Sequence, residues 1–254
     1  MQDKKFMTTQ KMLSLMRKGI EKYKLIKNGD KIAVGISGGK DSLTLLKLLA
    51  EFRRFSPQKF ELVAITVDLS FTGQKQDFTA IREFCNELNV EYYVEETEIG
   101  KIVFDVRKET NPCALCSKMR KGALNAKAKS LGCNKVALGH HSNDLVETML
   151  LSFFYEGRLS TFAPKSYLDR QDLTVIRPLI FVTEQDVKSY SKTLPVAKSK
   201  CPADTATKRA EIKNIISSIA EKIPSVREMM FTSLIHPERY NLFDKFEKDS
   251  ELLD

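Results

Sequence analysis

The sequence predicts an α/β fold, with a doubly wound, mainly parallel sheet and helices on both faces. Strand and helix patterns alternate along the chain, and the first strand runs directly into a glycine-rich turn that opens a helix. The 254 residues, 42% of them hydrophobic, suffice for one large α/β domain or for one domain with a smaller appendage. Because ligands bind at the carboxyl ends of parallel strands, we expect the strand ends near Ser37, Asp68 and Gly139 to meet in one crevice.

Apolar runs bounded by turn residues predict four strands, at residues 30–36, 60–67, 91–94 and 135–138. Helical periodicity predicts helices at residues 7–26, 44–52, 78–88, 117–131, 182–194 and 208–222. We therefore expect an N-terminal helical segment (residues 1–29), a central α/β domain (30–200) and a C-terminal helical segment packed on the same domain (201–254).

Composition and charge narrow the class of protein. No run of about eighteen apolar residues is present, and the first residues lack the apolar core of a signal peptide, so we expect a cytoplasmic protein that does not enter a membrane. In that reducing compartment the five cysteines are expected to be free, metal-bound or catalytic. The formal net charge of +8 favours a polyanionic partner such as RNA, although it could serve solubility alone.

The segment Ser37-Gly38-Gly39-Lys40-Asp41-Ser42 has the composition of a phosphate-binding loop. Glycines let backbone amides turn toward an anion, the following helix directs its positive N-terminal end at that anion, and the lysine adds an ammonium group. The common form G-x-x-x-x-G-K-[ST] has a hydroxyl directly after the lysine, whereas an aspartate follows it here, so a kinase or GTPase loop is disfavoured. The alternative is an ordinary Gly-Gly turn.

Three cysteines are candidates for a metal or catalytic site. Cys113 and Cys116 form a C-x-x-C pair ahead of a basic helical pattern, and Cys201 lies in a lysine-rich loop that would favour a thiolate. Together they would provide three thiolates and one open position. A partial zinc site and a transient disulfide remain open as alternatives. Cys85 and Cys133 fall in a helical pattern and in a turn, where packing explains them.

The third motif, Gly139-His140-His141-Ser142-Asn143-Asp144, follows a predicted strand and opens a helix. Gly139 permits a ligand to approach the backbone closely, and Asp144 is suited to hold magnesium or to orient a nucleophile near phosphates. Adjacent side chains on extended backbone point in opposite directions, so His140 and His141 are not expected to share a metal.

With these three motifs in this order, the chain resembles the tRNA 2-thiocytidine synthetase family, the sulfur-transferring branch of the pyrophosphatase-loop ATPases. The resemblance also covers the lead-in at residues 23–30 and the segments Phe154-Tyr155-x-Gly157 and Ile176-Arg177-Pro178-Leu179, and it continues from Ile223-Pro224 to Leu242-Phe243-Asp244. It therefore spans nearly the whole chain.

The resemblance implies an adenine nucleotide alpha hydrolase-like fold and a defined reaction. ATP adenylates the C2 oxygen of a tRNA pyrimidine, cytidine at position 32 in that family, and a sulfur nucleophile then displaces AMP. By the same resemblance, the loop from Ser37 to Ser42, together with Gly139 and His140, binds ATP, and Asp41 and Asp144 are candidates for Mg²⁺ or base positioning. Cys113, Cys116 and Cys201 match the cysteines that carry a 4Fe-4S cluster, and a persulfide on a thiol such as Cys201 is the chemical alternative.

The implied partners are tRNA, a sulfur donor system (a cysteine desulfurase or inorganic sulfide) and a second copy of the chain in a homodimer. Basic residues near the thiols are candidates for contacts to RNA phosphates. They are Lys118, Arg120, Lys121, Lys200, Lys208 and Arg209.

Two departures from the family pattern, and three rival functions, follow from the residues. One cysteine, Cys201, stands where the family has a second C-x-x-C-like segment, and Asn143-Asp144 replaces a pair of aspartates.

A tRNA 2-thiouridine synthetase typically begins with a cysteine-rich zinc module, but the first cysteine here is Cys85. A tRNA lysidine synthetase would not need the C-x-x-C pair, and a catalytically silent nucleotide- or RNA-binding protein would not need the thiols and Lys40.

Overall fold

The computed structural model describes residues 8–71, 76–107, 112–197 and 207–241. Its strands are β1 (Asp30–Ile36), β2 (Phe60–Asp68), β3 (Glu91–Glu96), β4 (Lys135–Ala137), β5 (Lys165–Leu168) and β6 (Leu173–Ile176). Its α-helices are α1 (Thr9–Lys22), α2 (Lys40–Phe55), α3 (Thr79–Glu87), α4 (Pro112–Ser130), α5 (Ser142–Glu156), α6 (Glu184–Tyr190), α7 (Lys208–Lys222) and α8 (Val226–Ile235). A π-helix spans Lys101–Val106. None of these helices is long and apolar enough to cross a membrane.

The six strands form one sheet in the order β3-β2-β1-β4-β6-β5. All neighbouring pairs are parallel except β5 and β6, which are antiparallel at one edge. The strand order reverses direction between β1 and β4, and in such a sheet this is the point at which ligands bind. The predicted α/β class is confirmed.

The sheet carries a hydrophobic core on each face, as a doubly wound fold requires. On β1, Ile32 and Val34 belong to one cluster, which also contains residues of α1, α2, α3 and α6. The intervening Ala33 belongs to the other cluster, together with Leu124 and Ala128 of α4. Successive strand residues point to opposite faces, so the two clusters place helices on both sides of the sheet.

Two helices begin earlier than predicted, and in each case this places polar or thiol side chains in the first helical turn. The helix α2 begins at Lys40 rather than at residue 44, and α4 begins at Pro112 rather than at residue 117. Apolar periodicity marks the part of a helix that faces a core, so it misses first turns that face a ligand site. As a result, Cys113 and Cys116 lie within α4 and not in a loop before it.

The chain divides into two compact units. The first comprises the described residues of Met1–Asp144 and Phe162–Thr207 and contains the sheet. The second comprises the described residues of Leu145–Thr161 and Lys208–Asp254, and it has its own small core of Val146, Leu150, Ile212, Ile216 and Val226. The hairpin β5–β6, the helix α8 and the π-helix were not predicted from the sequence.

Candidate functional site

The phosphate-loop motif forms a tight turn between β1 and α2. Gly38 has φ +78°, a left-handed conformation that favours glycine, and Gly39 is the residue that caps α2. The Ser37 N–H donates to Ser42 Oγ at 3.1 Å, and the Ser42 hydroxyl donates to the Gly39 carbonyl at 3.0 Å. The turn is therefore held by its own hydroxyls at the positive end of α2, the arrangement that binds an anion.

The third motif lies directly against this loop. A Cβ on Gly139 would lie 2.8 Å from the Asp41 carbonyl oxygen, so only glycine allows the two segments to approach so closely. Asp144 accepts a hydrogen bond at 3.0 Å from the His141 N–H, and its own N–H donates to His141 Nδ1 at 3.4 Å. The predicted meeting of strand ends is confirmed for Ser37 and Gly139, which line the same cleft. Asp68 does not line that cleft and instead lines a separate pocket with Thr79 and Arg82, so this part of the prediction is wrong.

The buried His141 links two carboxylates that the sequence had marked as candidates. Its Nδ1 lies 3.3 Å from an Asp144 oxygen, and its Nε2 lies 3.6 Å from an Asp41 oxygen. One ring nitrogen thus faces Asp144 and the other faces Asp41, so the ring lies between the two carboxylates. Sequence reasoning missed this role, because the pattern of the motif does not show which histidine turns inward.

The ammonium group of Lys40 is held by two carboxylates. It lies 3.0 Å from Asp41 and 3.6 Å from Glu184, the first residue of α6. Asn143 Oδ1 accepts a hydrogen bond at 2.9 Å from the Glu184 N–H. Asn143 thus anchors the N-terminus of α6 beside Lys40. No signal in the sequence pointed to Glu184, which reaches the loop only through the tertiary fold.

A cleft of about 390 Å³, called here the central cleft, joins the phosphate loop to the cysteine helix. From the loop and the third motif it is lined by Ser37, Asp41, Ser42, Gly139, His140 and Asp144, and from α4 by Cys113, Cys116, Ser117, Arg120, Lys121 and Leu124. The α4 residues recur at three- and four-residue spacing, so they form one face of the helix. Phosphate-binding groups and thiols therefore share one cavity.

The two described candidate cysteines fit a shared metal or cluster, since they lie one helical turn apart and both line the central cleft. Cys201 and Lys200 lie outside the described residues, so the third ligand and that RNA contact stay predictions. Among the described residues, no group of three or more His, Cys, Asp or Glu side chains is arranged to hold a metal ion.

The other two cysteines are buried, as expected for packing residues. Burial raises the pKa of the Cys85 thiol to about 12, and burial also raises the pKa of Cys133. Both thiols are therefore protonated and unreactive at neutral pH. This separates them from Cys113, which is exposed.

The predicted RNA-binding residues fall into two groups. In the first unit, Lys118, Arg120 and Lys121 are exposed on α4, and the last two line the central cleft. In the second unit, Lys208 is exposed, and its ammonium lies 4.3 Å from the centre of the Tyr155 ring. Arg209 binds the buried Glu147 at 3.0 Å and therefore has a structural contact besides any role with RNA.

Comparisons with known proteins identify the family of the chain. The model of the PP-loop domain family matches residues 7–217. The tRNA-cytidine(32) 2-sulfurtransferase of Syntrophotalea carbinolica is 38% identical over 244 residues, covering 94% of this chain and 93% of the relative. The protein of the same name from Pelobacter propionicus is 37% identical over 227 residues, covering 87% of this chain and 84% of the relative.

Among solved structures, the U34-tRNA thiolase NcsA from Methanococcus maripaludis, determined with its 4Fe-4S cluster, is similar with a TM-score of 0.71 and 25% identity. The match covers 92% of this chain and 81% of that chain. The fold, the motifs and the sequence similarity over nearly the whole chain thus point to the same family. The chain is an enzyme of the PP-loop domain family and belongs to the family of the tRNA-cytidine(32) 2-sulfurtransferases.

Proposed function

We propose that this enzyme thiolates a cytidine of tRNA, at position 32, in an ATP-dependent reaction. The C2 oxygen of the base attacks the α-phosphorus of ATP, and pyrophosphate leaves. A sulfur nucleophile then adds at C2, and AMP leaves with the original oxygen. The observation that carries this proposal is the central cleft, in which the phosphate loop and the thiols of Cys113 and Cys116 line one cavity.

The phosphate loop is suited to the first step. Backbone amides at the N-terminus of α2 and the hydroxyls of Ser37 and Ser42 can hold the triphosphate. The Lys40 ammonium must leave Asp41 and Glu184 to reach a phosphate, where it would offset the negative charge that develops at the transferring phosphorus. Asp41 and Asp144, linked through His141, are the candidate ligands for Mg²⁺ beside the phosphates.

The helix α4, which carries Cys113 and Cys116, is suited to the second step, the transfer of sulfur. Cys113 and Cys116, together with Cys201, would hold a 4Fe-4S cluster through three thiolates. When bound, that cluster would supply the sulfur at its position without a protein ligand. The face of α4 that carries the two thiols continues with Arg120 and Lys121, whose positive charges would hold the phosphates that flank the target nucleotide.

The proposal is tested by incubating the purified protein with ATP, sulfide and unmodified tRNA, and then analysing the nucleosides by mass spectrometry. We expect 2-thiocytidine at position 32 together with equimolar AMP and pyrophosphate. Lys40→Ala should abolish AMP formation, whereas Cys113→Ser should abolish thiolation. ATP turnover without any thiolated nucleoside under anaerobic conditions would overturn the proposal.

The metal content tests the cysteine assignment independently. Protein purified without oxygen should contain about four irons and four sulfides per chain. Cys113→Ala, Cys116→Ala and Cys201→Ala should each lose them, while Cys133→Ala, a buried cysteine outside the cleft, should keep them. Zinc, or no metal, in the wild type would contradict the cluster and favour persulfide chemistry.

A second candidate is thiolation of uridine at position 34, favoured by the likeness to the U34-tRNA thiolase. The same nucleoside analysis decides between the two, because 2-thiouridine and 2-thiocytidine differ in mass and elution. A cysteine desulfurase or inorganic sulfide as sulfur donor, and a homodimeric enzyme, are parts of the same proposal. Reconstitution with each donor and light scattering would test them.

A further inference from the structure

We propose that Phe104 stacks on the target base and holds it in the central cleft during the reaction. This inference rests on the proposed function, because it names the side chain that receives the pyrimidine ring. It is drawn from the placement of Phe104, from the unusual helix that carries it and from the contacts that orient its ring.

Phe104 lines the cavity that both the phosphate loop and the thiols line. In the proposed reaction a pyrimidine must present its C2 oxygen to ATP at the phosphate loop and then its C2 carbon to sulfur at the thiols, and Phe104 lines the cleft with Asp41, Cys113 and Cys116. Of the described residues that line this cleft, two carry a flat ring, Phe104 and His140. The His140 ring packs on Phe162, with ring centres 5.0 Å apart.

The segment that carries Phe104 is built in an uncommon way. Phe104 belongs to the π-helix Lys101–Val106, and the Arg107 N–H donates to the Ile102 carbonyl at 2.9 Å, a five-residue separation. Such wide turns are rare and occur frequently at functional sites. Just before this helix, the Gly100 N–H donates to the Leu69 carbonyl at 2.7 Å, and a Cβ on Gly100 would lie 2.5 Å from that oxygen. The π-helix is thereby fixed against the segment that follows β2.

One aromatic contact orients the ring of Phe104. Phe71 meets it edge to face, with ring centres 5.8 Å apart and planes at 72°. The π-helix also packs against α4, the helix that carries the thiols. Phe71 is not among the described residues that line the central cleft, so its contact with the Phe104 ring is separate from the cleft lining.

The chemistry of RNA modification requires such a surface. An enzyme that acts on a base must take it out of its stack, and unstacked bases of RNA loops are commonly received by aromatic side chains. One base stacked on an aromatic ring contributes about 5- to 150-fold in affinity. Arg120 and Lys121, which line the same cleft, are placed to hold the neighbouring phosphates.

The first test compares Phe104→Leu with Phe104→Tyr, and with Phe71→Leu as the matched control. We expect Phe104→Leu to lower kcat/KM for tRNA about 10- to 100-fold with ATP affinity within about twofold of the wild type. Phe104→Tyr, which keeps the ring face, should stay within about threefold. Phe71→Leu loses the same edge-to-face contact but lines no part of the cleft, so a smaller effect is expected. Equal losses in both leucine variants would assign the effect to packing and overturn the inference.

The second test does not depend on turnover or on variants that fold. An anticodon stem-loop with 5-iodocytidine at position 32 is irradiated with the wild-type protein under long-wavelength ultraviolet light, which couples the base to a stacked aromatic ring. We expect the adduct at Phe104 by peptide mass spectrometry. If the wild type thiolates tRNA but the adduct lies elsewhere, the inference is wrong and the proposed function stands. If the wild type neither thiolates nor binds tRNA, both fail.

Discussion

At the scale of single residues, the candidate site is a group of acidic and basic side chains arranged around one histidine. Asp41 and Asp144 lie on either side of the buried His141, and Lys40 lies between Asp41 and Glu184. Asp41 and Asp144, the candidates for holding Mg²⁺ or positioning a base, each already contact a side-chain nitrogen. The ammonium of Lys40, which we propose binds phosphate, is held by two carboxylates.

Glu184→Gln should lower the KM for ATP about three- to tenfold. The carboxylate of Glu184 competes with phosphate for the Lys40 ammonium and repels the triphosphate, and both effects vanish in the amide. Steady-state kinetics on AMP release measure the change, and the gain should shrink at high salt. Glu87→Gln, which removes an equal charge at the last residue of α3, serves as control. A raised KM in Glu184→Gln would show that the glutamate positions the lysine instead.

The cysteines should differ sharply in alkylation rate when no metal is bound. With a pKa of about 12, Cys85 is a thiolate in about one molecule in ten thousand at pH 8, and its burial blocks access as well. Cys113 is exposed and should react first with iodoacetamide, whereas Cys85 and Cys133 should react only on unfolding. Peptide mass spectrometry over time gives the order. Rapid labelling of Cys85 in the folded protein would contradict the buried placement.

At the scale of elements, the site depends on two close approaches of backbone. The segment after β4 touches the first turn of α2 at Gly139, and the segment after β2 touches the start of the π-helix at Gly100. In both places a Cβ would meet backbone atoms within 3.0 Å, which cannot move aside as a flexible side chain can. These contacts hold the third motif against the phosphate loop and the π-helix against the segment that follows β2.

Gly139→Ala should impair ATP binding about tenfold or more while the protein remains folded. The added methyl group would lie 2.8 Å from the Asp41 carbonyl oxygen and 3.1 Å from the Ser42 nitrogen, so the phosphate loop must shift. Gly122→Ala on α4 is the matched control, because its Cβ meets nothing within 4 Å, and alanine should stabilise the helix by about 0.5–1 kcal/mol. Calorimetric ATP titration and thermal unfolding measure both. Unaltered ATP affinity in Gly139→Ala would mean that the loop tolerates the shift.

At the scale of the whole molecule, the net charge of +8 favours the binding of a polyanion such as tRNA. A polyanion that contacts Lys and Arg side chains releases counterions, so its affinity must fall with salt in proportion to the number of contacts. The described basic residues of the first unit that line the central cleft are Arg120 and Lys121. These two side chains are therefore the described cleft residues through which the positive charge would act on the phosphates of tRNA.

Arg120→Ala combined with Lys121→Ala should weaken tRNA binding and lower the slope of log affinity against log salt by about two, one for each lost phosphate contact. Fluorescence anisotropy with labelled tRNA over a range of salt concentrations gives the slope. The control is Lys59→Ala. Lys59 is exposed and precedes β2, so it lies at the amino-terminal ends of the strands, away from the cleft, and its loss should leave the slope unchanged. An unaltered slope in the double variant would remove α4 from the RNA interface.

Lys208→Ala should lower the same slope by about one, as an exposed phosphate contact. Arg209→Ala is a different experiment, because its guanidinium pairs with the buried Glu147. Glu147 is buried, but the Arg209 side chain is 40% exposed and Lys213 lies 3.7 Å from the same carboxylate, so we expect Arg209→Ala to cost about 1–2 kcal/mol. Urea unfolding should therefore show a loss of stability in Arg209→Ala and little change in Lys208→Ala. Equal stability of both variants would contradict a structural role for the Arg209–Glu147 pair.

The sequence by itself determined the fold class, the family and the three motifs, because each depends on residues close together in the chain. The loop from Ser37 to Ser42 and the C-x-x-C pair have local signatures of turn, helix start and thiol spacing. Only the tertiary structure decided that Glu184 reaches Lys40, that His141 joins Asp41 to Asp144, and that Phe104 shares a cavity with Cys113. Lys40 and Glu184, like Asp41 and His141, are at least 100 residues apart in the chain, and Phe104 and Cys113 belong to two different helices, so no period of two or 3.6 residues encodes these contacts. They exist because a parallel sheet gathers the carboxyl ends of distant strands at one edge.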